Sequence, residues 1–210
     1  MKNFLKALNL ARLSISKNDG YLLKSGWIES LYKGKPCDEN GLLIPWMNLS
    51  VINFLQDKLN EEQHVLEFGG GSSTLFFSRF CKSVTTIEHN LQWYKVLVDK
   101  KPENCNLFLA ENKEKYINFT SFLFLENRKW DVIVIDGMHR VECIKSLDKW
   151  ISDSGVVIVD DSSRASLSEA IQSKLNDKRW KKIKFVGLCN GSHRLEETSI
   201  LYRDNSCFEI

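Results

Sequence analysis

Two groups of residues in this chain have types and spacings that could carry chemistry. The first is VLEFGGGSST (65–74), an apolar run holding an acid, Glu67, then three glycines and a set of hydroxyl side chains. Glycines permit positive φ and let a ligand come close to the backbone. A helix starting just after them offers free N–H groups to negative charge. A second acid, Glu88, ends the next β-branched run, SVTTIE (83–88), 21 residues beyond Glu67. There it is placed to accept hydrogen bonds from both hydroxyls of a ribose. The second group is IDGMHR (135–140) and VDDSSR (159–164), each ending a later apolar run. In a parallel sheet Asp136, Asp160 and Asp161 would converge on one crevice. Three carboxylates repel one another unless cationic charge lies between them, and a hard divalent ion, Mg²⁺ first, meets that need. The blander alternative makes Asp136 a helix cap or cofactor ligand and the Asp160–Asp161 pair turn acids. His139, three residues past Asp136, has the proton affinity to act as a base toward a substrate hydroxyl.

The glycine spacing separates two cofactor classes. A dinucleotide fingerprint G-x-G-x-x-G starting at Gly69 needs a third glycine where Thr74 stands. Glu67, beside the turn, would repel a pyrophosphate but tolerate an amine or a sulfonium. Both points favour S-adenosylmethionine over NAD.

The elements that must position these residues follow from the rhythm of the chain. Residues 1–60 are helical in pattern, broken by turn chemistry at 18–20, 33–36 and 39–41. From residue 63 short apolar strands (63–68, 83–88, 106–110, 131–136, 155–160, 182–188 and 199–203) alternate with helical stretches near 73–81, 90–100, 113–126, 139–151 and 164–177. Apolar strands separated by helices indicate an α/β fold with a parallel sheet covered on both faces. The last two strands have only the loop LCNGSHRLEET between them and should form a hairpin, hence one antiparallel strand. The expected architecture is a Rossmann-like, doubly wound seven-stranded sheet in 61–210, preceded by an N-terminal helical extension or lid in 1–60.

Composition sets bounds on partners. The chain has 210 residues, 43% of them hydrophobic and 27% charged, with a formal net charge of +2, which makes no electrostatic case for nucleic acid or a membrane surface. Six cysteines without a C-x-x-C pair suggest reduced structural thiols, and no apolar stretch reaches the length of a membrane span. The expectation is a cytoplasmic protein without a membrane partner, and a homo-oligomer is left open.

At Glu67, Gly69 and Gly71 the sequence resembles the class I S-adenosylmethionine-dependent methyltransferases, whose first motif reads acid-x-G-x-G, with Glu88 matching their ribose acid. Gly70 fills a variable position of that motif, and Ser72 stands where many members have a third glycine. The resemblance spans about 63–203. It implies cofactor contacts at Glu67, Gly69, Gly71, Ser72, Glu88 and Asp136. The second group of residues is similar to the metal-dependent O-methyltransferases, including the catechol and antibiotic-sugar enzymes. That similarity implies Mg²⁺ on Asp136, Asp160 and Asp161, with His139 as base and a hydroxylated small molecule, a sugar or glycan, as methyl acceptor. The alternatives are a methyltransferase of RNA or protein, an NAD-type oxidoreductase, and a non-catalytic domain. An RNA or protein acceptor is disfavoured because IDGMHR stands where amino-group enzymes carry N/D-P-P-[YF], and because no basic face is concentrated.

Specificity residues are sought outside these motifs. The segment IPWMNLSVINFL (44–55), with Trp27 and Trp46, is expected to pack against the sheet, the alternatives being a lid or a subunit contact. His193, Arg194, Arg140 and Arg164 are further candidates for contact with an anionic part of a substrate, a solvated surface role being the equal alternative for each. The basic clusters at 126–130 and 176–184 read as hydrated helix ends.

Overall fold

In a computed structural model the chain is described over residues 2–16, 19–125 and 127–210. Asn18 of the first expected turn and Glu126 of the 126–130 cluster lie outside the described residues. Helices come first: α1 (Lys2–Ser16), α2 (Tyr21–Lys24), α3 (Trp27–Lys33) and α4 (Leu49–Lys58). Strands and helices then alternate: β1 (His64–Phe68), α5 (Ser72–Phe80), β2 (Ser83–Glu88), α6 (Leu91–Val98) and β3 (Cys105–Leu109). They continue with α7 (Lys113–Ile117), α8 (Phe119–Phe122), β4 (Trp130–Ile135), α9 (Arg140–Lys145), a 3₁₀ turn (Leu147–Lys149), β5 (Ile151–Val159) and α10 (Ala165–Leu175). The hairpin of β6 (Lys181–Leu188) and β7 (Leu195–Tyr202) follows.

The seven strands form one sheet in the order β3-β2-β1-β4-β5-β7-β6. β7 pairs antiparallel with both β5 and β6, while the pairs among β1 to β5 are parallel. The expected Rossmann-like sheet with one antiparallel strand is therefore the observed one. Alternate residues of each strand point to opposite faces, so the apolar runs supply two cores. Leu66, Phe68, Ile133, Ile135, Val157 and Val159 face a layer with Tyr116, Phe119 and Trp150. Val65, Val132, Val134, Val156 and Ile158 face α4 and α5 through Val51, Ile52, Leu55, Phe76 and Phe77. The period of two puts Glu67 on the second face, beneath α5, beside Val65. At the sheet edge β6 carries Lys181, Lys182 and Lys184, charges that discourage pairing with a further strand.

Several boundaries differ from the sequence reading, among them β7, which begins at Leu195 and not at 199. β5 begins at Ile151, because the register between β4 and β5 shifts between the pairs Trp130–Ile151 and Val132–Val156, absorbing the polar Ser152–Asp153–Ser154. The helix expected over 113–126 breaks at Asn118 into two short pieces. The one expected over 139–151 ends at Lys145 and continues as the 3₁₀ turn. Among the described residues no helix is long and apolar enough to cross a membrane.

The segment 44–55 packs on the sheet. Buried Asn48 fixes its entry: the side-chain carbonyl accepts from the Val51 N–H at 3.1 Å as the cap of α4. Its amide donates to Phe185 O at 3.3 Å and to Thr198 Oγ1 at 3.1 Å. Thr198 Oγ1 in turn donates to Asp160 Oδ1 at 2.6 Å, so the N-terminal helices are tied by hydrogen bonds to an acid at the tip of β5. Asn48→Ala removes a cap and leaves buried partners unsatisfied. It should lower the unfolding free energy by about 1–3 kcal/mol, measured by urea denaturation, and an unchanged midpoint would contradict this linkage.

Candidate functional site

The carboxyl ends of β1, β2 and β4 open on a cleft of about 670 Å³, within the range of small-molecule sites. Gly69, Gly71, Ser72, Glu88 and Asp136 all line it, so five of the six residues expected to hold a cofactor are brought together. The sixth, Glu67, is not at the cleft. It is fully buried under the glycine turn, where its carboxylate accepts from Ser73 Oγ at 2.5 Å, Thr74 Oγ1 at 2.5 Å and Thr86 Oγ1 at 2.8 Å. Burial pushes this acid up to about 7, while the three hydroxyls hold it down. Glu67 therefore fixes the start of α5 from below, and Thr74 fills the third-glycine position as one of its donors. Thr74 Oγ1 also accepts from the Gly71 N–H at 3.0 Å.

The glycines differ in what they require. Gly69 has φ +92°, and a Cβ there would lie 2.5 Å from the Gly137 Cα. At Gly70 a Cβ would meet Leu97 at 2.7 Å and Thr86 at 2.9 Å. Gly71 is extended, at φ 178°, and a Cβ there would touch nothing closer than 3.9 Å. Gly69 and Gly70 thus serve packing and conformation, whereas Gly71 leaves open the space a ligand needs.

Glu88 is buried at the tip of β2, and its carboxylate accepts three backbone N–H groups. Oε2 takes Gly70 N at 2.9 Å, and Oε1 takes His89 N at 2.9 Å and Asn90 N at 2.6 Å. Asn90 caps α6 by accepting from the Trp93 N–H at 2.9 Å, and the Trp93 indole donates to Gly70 O at 2.6 Å. The turn, Glu88 and α6 thereby hold one another. His89, Trp93, Gly70 and Gly137 also line the cleft without having been placed there from sequence, and so does Trp46, from the segment whose alternative role was a lid. The E-H-N-x-x-W run after β2 was the available signal for two of them. Tyr116, also not anticipated, stacks edge-on to His139 at 5.7 Å, and its hydroxyl lies 2.2 Å from where a Gly137 Cβ would be.

The expected metal cluster takes another form. Asp136, Asp160 and Asp161 do converge, but the Arg140 side chain lies among them. It bonds Asp136 Oδ1 at 2.9 Å and Asp161 Oδ2 at 3.1 Å. Asp161, at φ 54°, also pairs with Arg164, and the Asp160 carboxylate turns to Thr198. Among the described residues no group of three His, Cys, Asp or Glu side chains could hold a metal ion. The donor set does not fit Mg²⁺, because the arginine occupies the place expected for it. Burial raises the Asp136 carboxyl well above the usual range, helped by repulsion from Asp160 and opposed by Arg140. Burial likewise pushes Asp160 up to about 6.

His139 opens α9 in left-handed backbone, φ 53°, two residues past the cleft-lining Gly137 and itself outside the cleft wall. His193 and Arg194 sit in the β6–β7 turn and do not line the cleft. That turn is held to the N-terminal region by the Trp27 indole on Ser192 O at 2.8 Å and by the Asn190 amide on Cys37 O at 3.1 Å.

No protein-family model matches the chain, and no curated protein sequence does. Solved structures resemble it. A candidate O-methyltransferase from Klebsiella pneumoniae is 12% identical with a TM-score of 0.60, over 94% of this chain and 96% of that one. An rRNA methylase from Streptococcus thermophilus is 16% identical with a TM-score of 0.52, over 72% of this chain and 92% of that one. A candidate methyltransferase complexed with S-adenosylhomocysteine is 13% identical with a TM-score of 0.54, over 73% of this chain and 48% of that one, so this chain spans about half its length. At these identities the likeness shows the fold, which is that of the S-adenosylmethionine-dependent methyltransferases.

Two results are expected from this geometry. Gly71→Ala should leave the thermal midpoint unchanged and weaken binding of the cleft's ligand by about tenfold or more, whereas Gly69→Ala should cost about 1–3 kcal/mol of stability. Equal loss of stability in both would contradict the distinction. The native pKa of Glu67 is raised above its unfolded value of 4.5, so the native state binds this proton more tightly. Its contribution to stability is full below about pH 4.5 and is lost as pH rises through about 7. Asp136 and Asp160 act in the same direction. Denaturation free energy should therefore fall between pH 5 and pH 8, and fall less steeply in Glu67→Gln, a difference read by urea titration at the two pH values.

Proposed function

We propose that the chain binds S-adenosylmethionine in this cleft and transfers its methyl group to a hydroxyl of a small molecule, a sugar or glycan being the favoured class. One observation carries the reading: a single cleft joins the open backbone at Gly71, the N-terminus of α5 and the Glu88 carboxylate. Those three features suit, in turn, close approach of the ligand, a carboxylate group and a ribose. Thr74, bonded to Glu67 beneath the turn, occupies the position that a dinucleotide fingerprint gives to its third glycine.

The chemistry asked of this chain is positioning and removal of one proton. An oxygen, a methyl carbon and a sulfur must be held in line within a site that excludes water, which gives most of the rate gain. Asp136 lines the cleft, and burial raises its proton affinity, which favours its taking a proton. His139, in the same loop, is the second group for that role. The likeness to an rRNA methylase concerns the fold and assigns no acceptor.

Calorimetric titration tests the cofactor. S-adenosylhomocysteine should bind in the micromolar range and NAD should not, and Glu88→Ala should lose about tenfold or more in affinity. Preference for NAD, or no binding of either, would sink the reading. Once a turned-over acceptor is found among sugars and diols, His139→Ala should lower turnover by about 10²–10⁴-fold with cofactor affinity unchanged. Unaltered turnover removes His139 from the mechanism and leaves Asp136 as the proton acceptor.

A further inference from the structure

We propose that Arg140 is the built-in cation of the strand-tip acid cluster, balancing with a guanidinium the charge that a divalent ion would otherwise balance, so that Asp136 is held at the cleft without a metal. A guanidinium carries five N–H donors in a fixed planar fork. Here each finds its own acceptor. Nε donates to Gly137 O at 2.9 Å. Nη1 donates to Asp160 O at 2.8 Å and to Asp161 Oδ2 at 3.1 Å. Nη2 donates to Asp136 O at 2.5 Å and to Asp136 Oδ1 at 2.9 Å. Two of these residues follow β4 and two follow β5, so one side chain ties the two strand tips together. The Arg140 side chain is only 13% exposed.

Two consequences follow from that saturation. No donor remains for a substrate, so Arg140 is a positioning residue that acts through Asp136. One oxygen of each carboxylate is also engaged, Asp136 Oδ1 and Asp161 Oδ2 on Arg140 and Asp160 Oδ1 on Thr198. Charge balance agrees, because Arg140 and Arg164, both paired with Asp161, bring the two positive charges a divalent ion would bring. A dication placed beside them would meet two like charges, with one oxygen of each carboxylate already bonded. Lysine could keep the charge but not the fork, having three donors on one nitrogen. The proposal concerns charge and geometry at the strand tips and stands apart from the identity of the cofactor.

Mn²⁺ titration tests it, with the free aqueous ion followed by electron paramagnetic resonance on wild type, Arg140→Ala and Arg140→Lys. Wild type and Arg140→Lys should leave Mn²⁺ free into the millimolar range. Arg140→Ala, with only Arg164 left beside its acids, should bind one ion per chain at least about tenfold more tightly than wild type. A purely structural role would cost Arg140→Ala stability without any gain of Mn²⁺ binding, and a folded Arg140→Ala that binds none overturns the proposal. The wild-type titration decides by itself if Arg140→Ala does not fold: one Mn²⁺ bound per chain below millimolar overturns the proposal, and none bound upholds it.

Discussion

The backbones of Gly69 and Gly137 meet with no side chain between them, and the cleft exists because they do. A Cβ on Gly137 would lie 2.8 Å from the Gly69 Cα, and one on Gly69 would lie 2.5 Å from the Gly137 Cα. That approach is set by the parallel register of β1 and β4, in which Phe68 pairs with Ile135 immediately before the two loops begin. It brings the glycine turn and Asp136 to the rim of the same cavity. The register in turn rests on a sheet buried on both faces, where a slip of one residue would exchange the apolar sets of the two cores. Phe68 anchors it, packed on Trp150, Tyr116 and Phe119 with ring centroids 4.9, 5.5 and 5.6 Å away.

Around this contact the chain gathers several acids, buried or half-buried, and satisfies them by different means. Glu67 has three hydroxyls and no cation, which leaves its proton affinity near neutral. Glu88 has three backbone N–H groups, drawn from both the glycine turn and the loop that starts α6. Asp136 and Asp161 share a guanidinium, and Asp160 takes a threonine hydroxyl that is itself bonded to the N-terminal region through Asn48. Hydroxyl dipoles stabilise a buried carboxylate less than a full charge does. The acids are therefore not interchangeable. One stiffens the turn, one lines the cleft between the turn and α6, and one is held at the cleft by a cation.

Much of this was legible in the residues themselves. Short apolar runs alternating with helical stretches imply the covered parallel sheet, and a loop in place of the last helix implies the antiparallel strand. The glycine turn, Glu88 and Asp136 could be placed together because strand tips in such a sheet share one crevice. What could not be read was the direction a side chain takes at the end of a strand. Glu67 lies two residues before Gly69, and only the alternation of β1 decides that it points under α5 and not into the cleft. Arg140 follows His139 in sequence and reads there as a substrate contact or a solvated surface residue, yet i to i+4 spacing from Asp136 on a tight loop folds it back over the acids. Trp46 and Trp93 reach the cleft from two separate segments, a juxtaposition that spacing along the chain cannot express.

Hydrogen–deuterium exchange with and without S-adenosylhomocysteine tests most directly that the glycine turn and Glu88 form one ligand site. Slowed exchange confined to 69–74, 88–93 and 136–138 is the expected result, with the backbone amides of Gly70, His89 and Asn90 among those protected. Protection that leaves the glycine turn untouched, or no protection at saturating ligand, would contradict it.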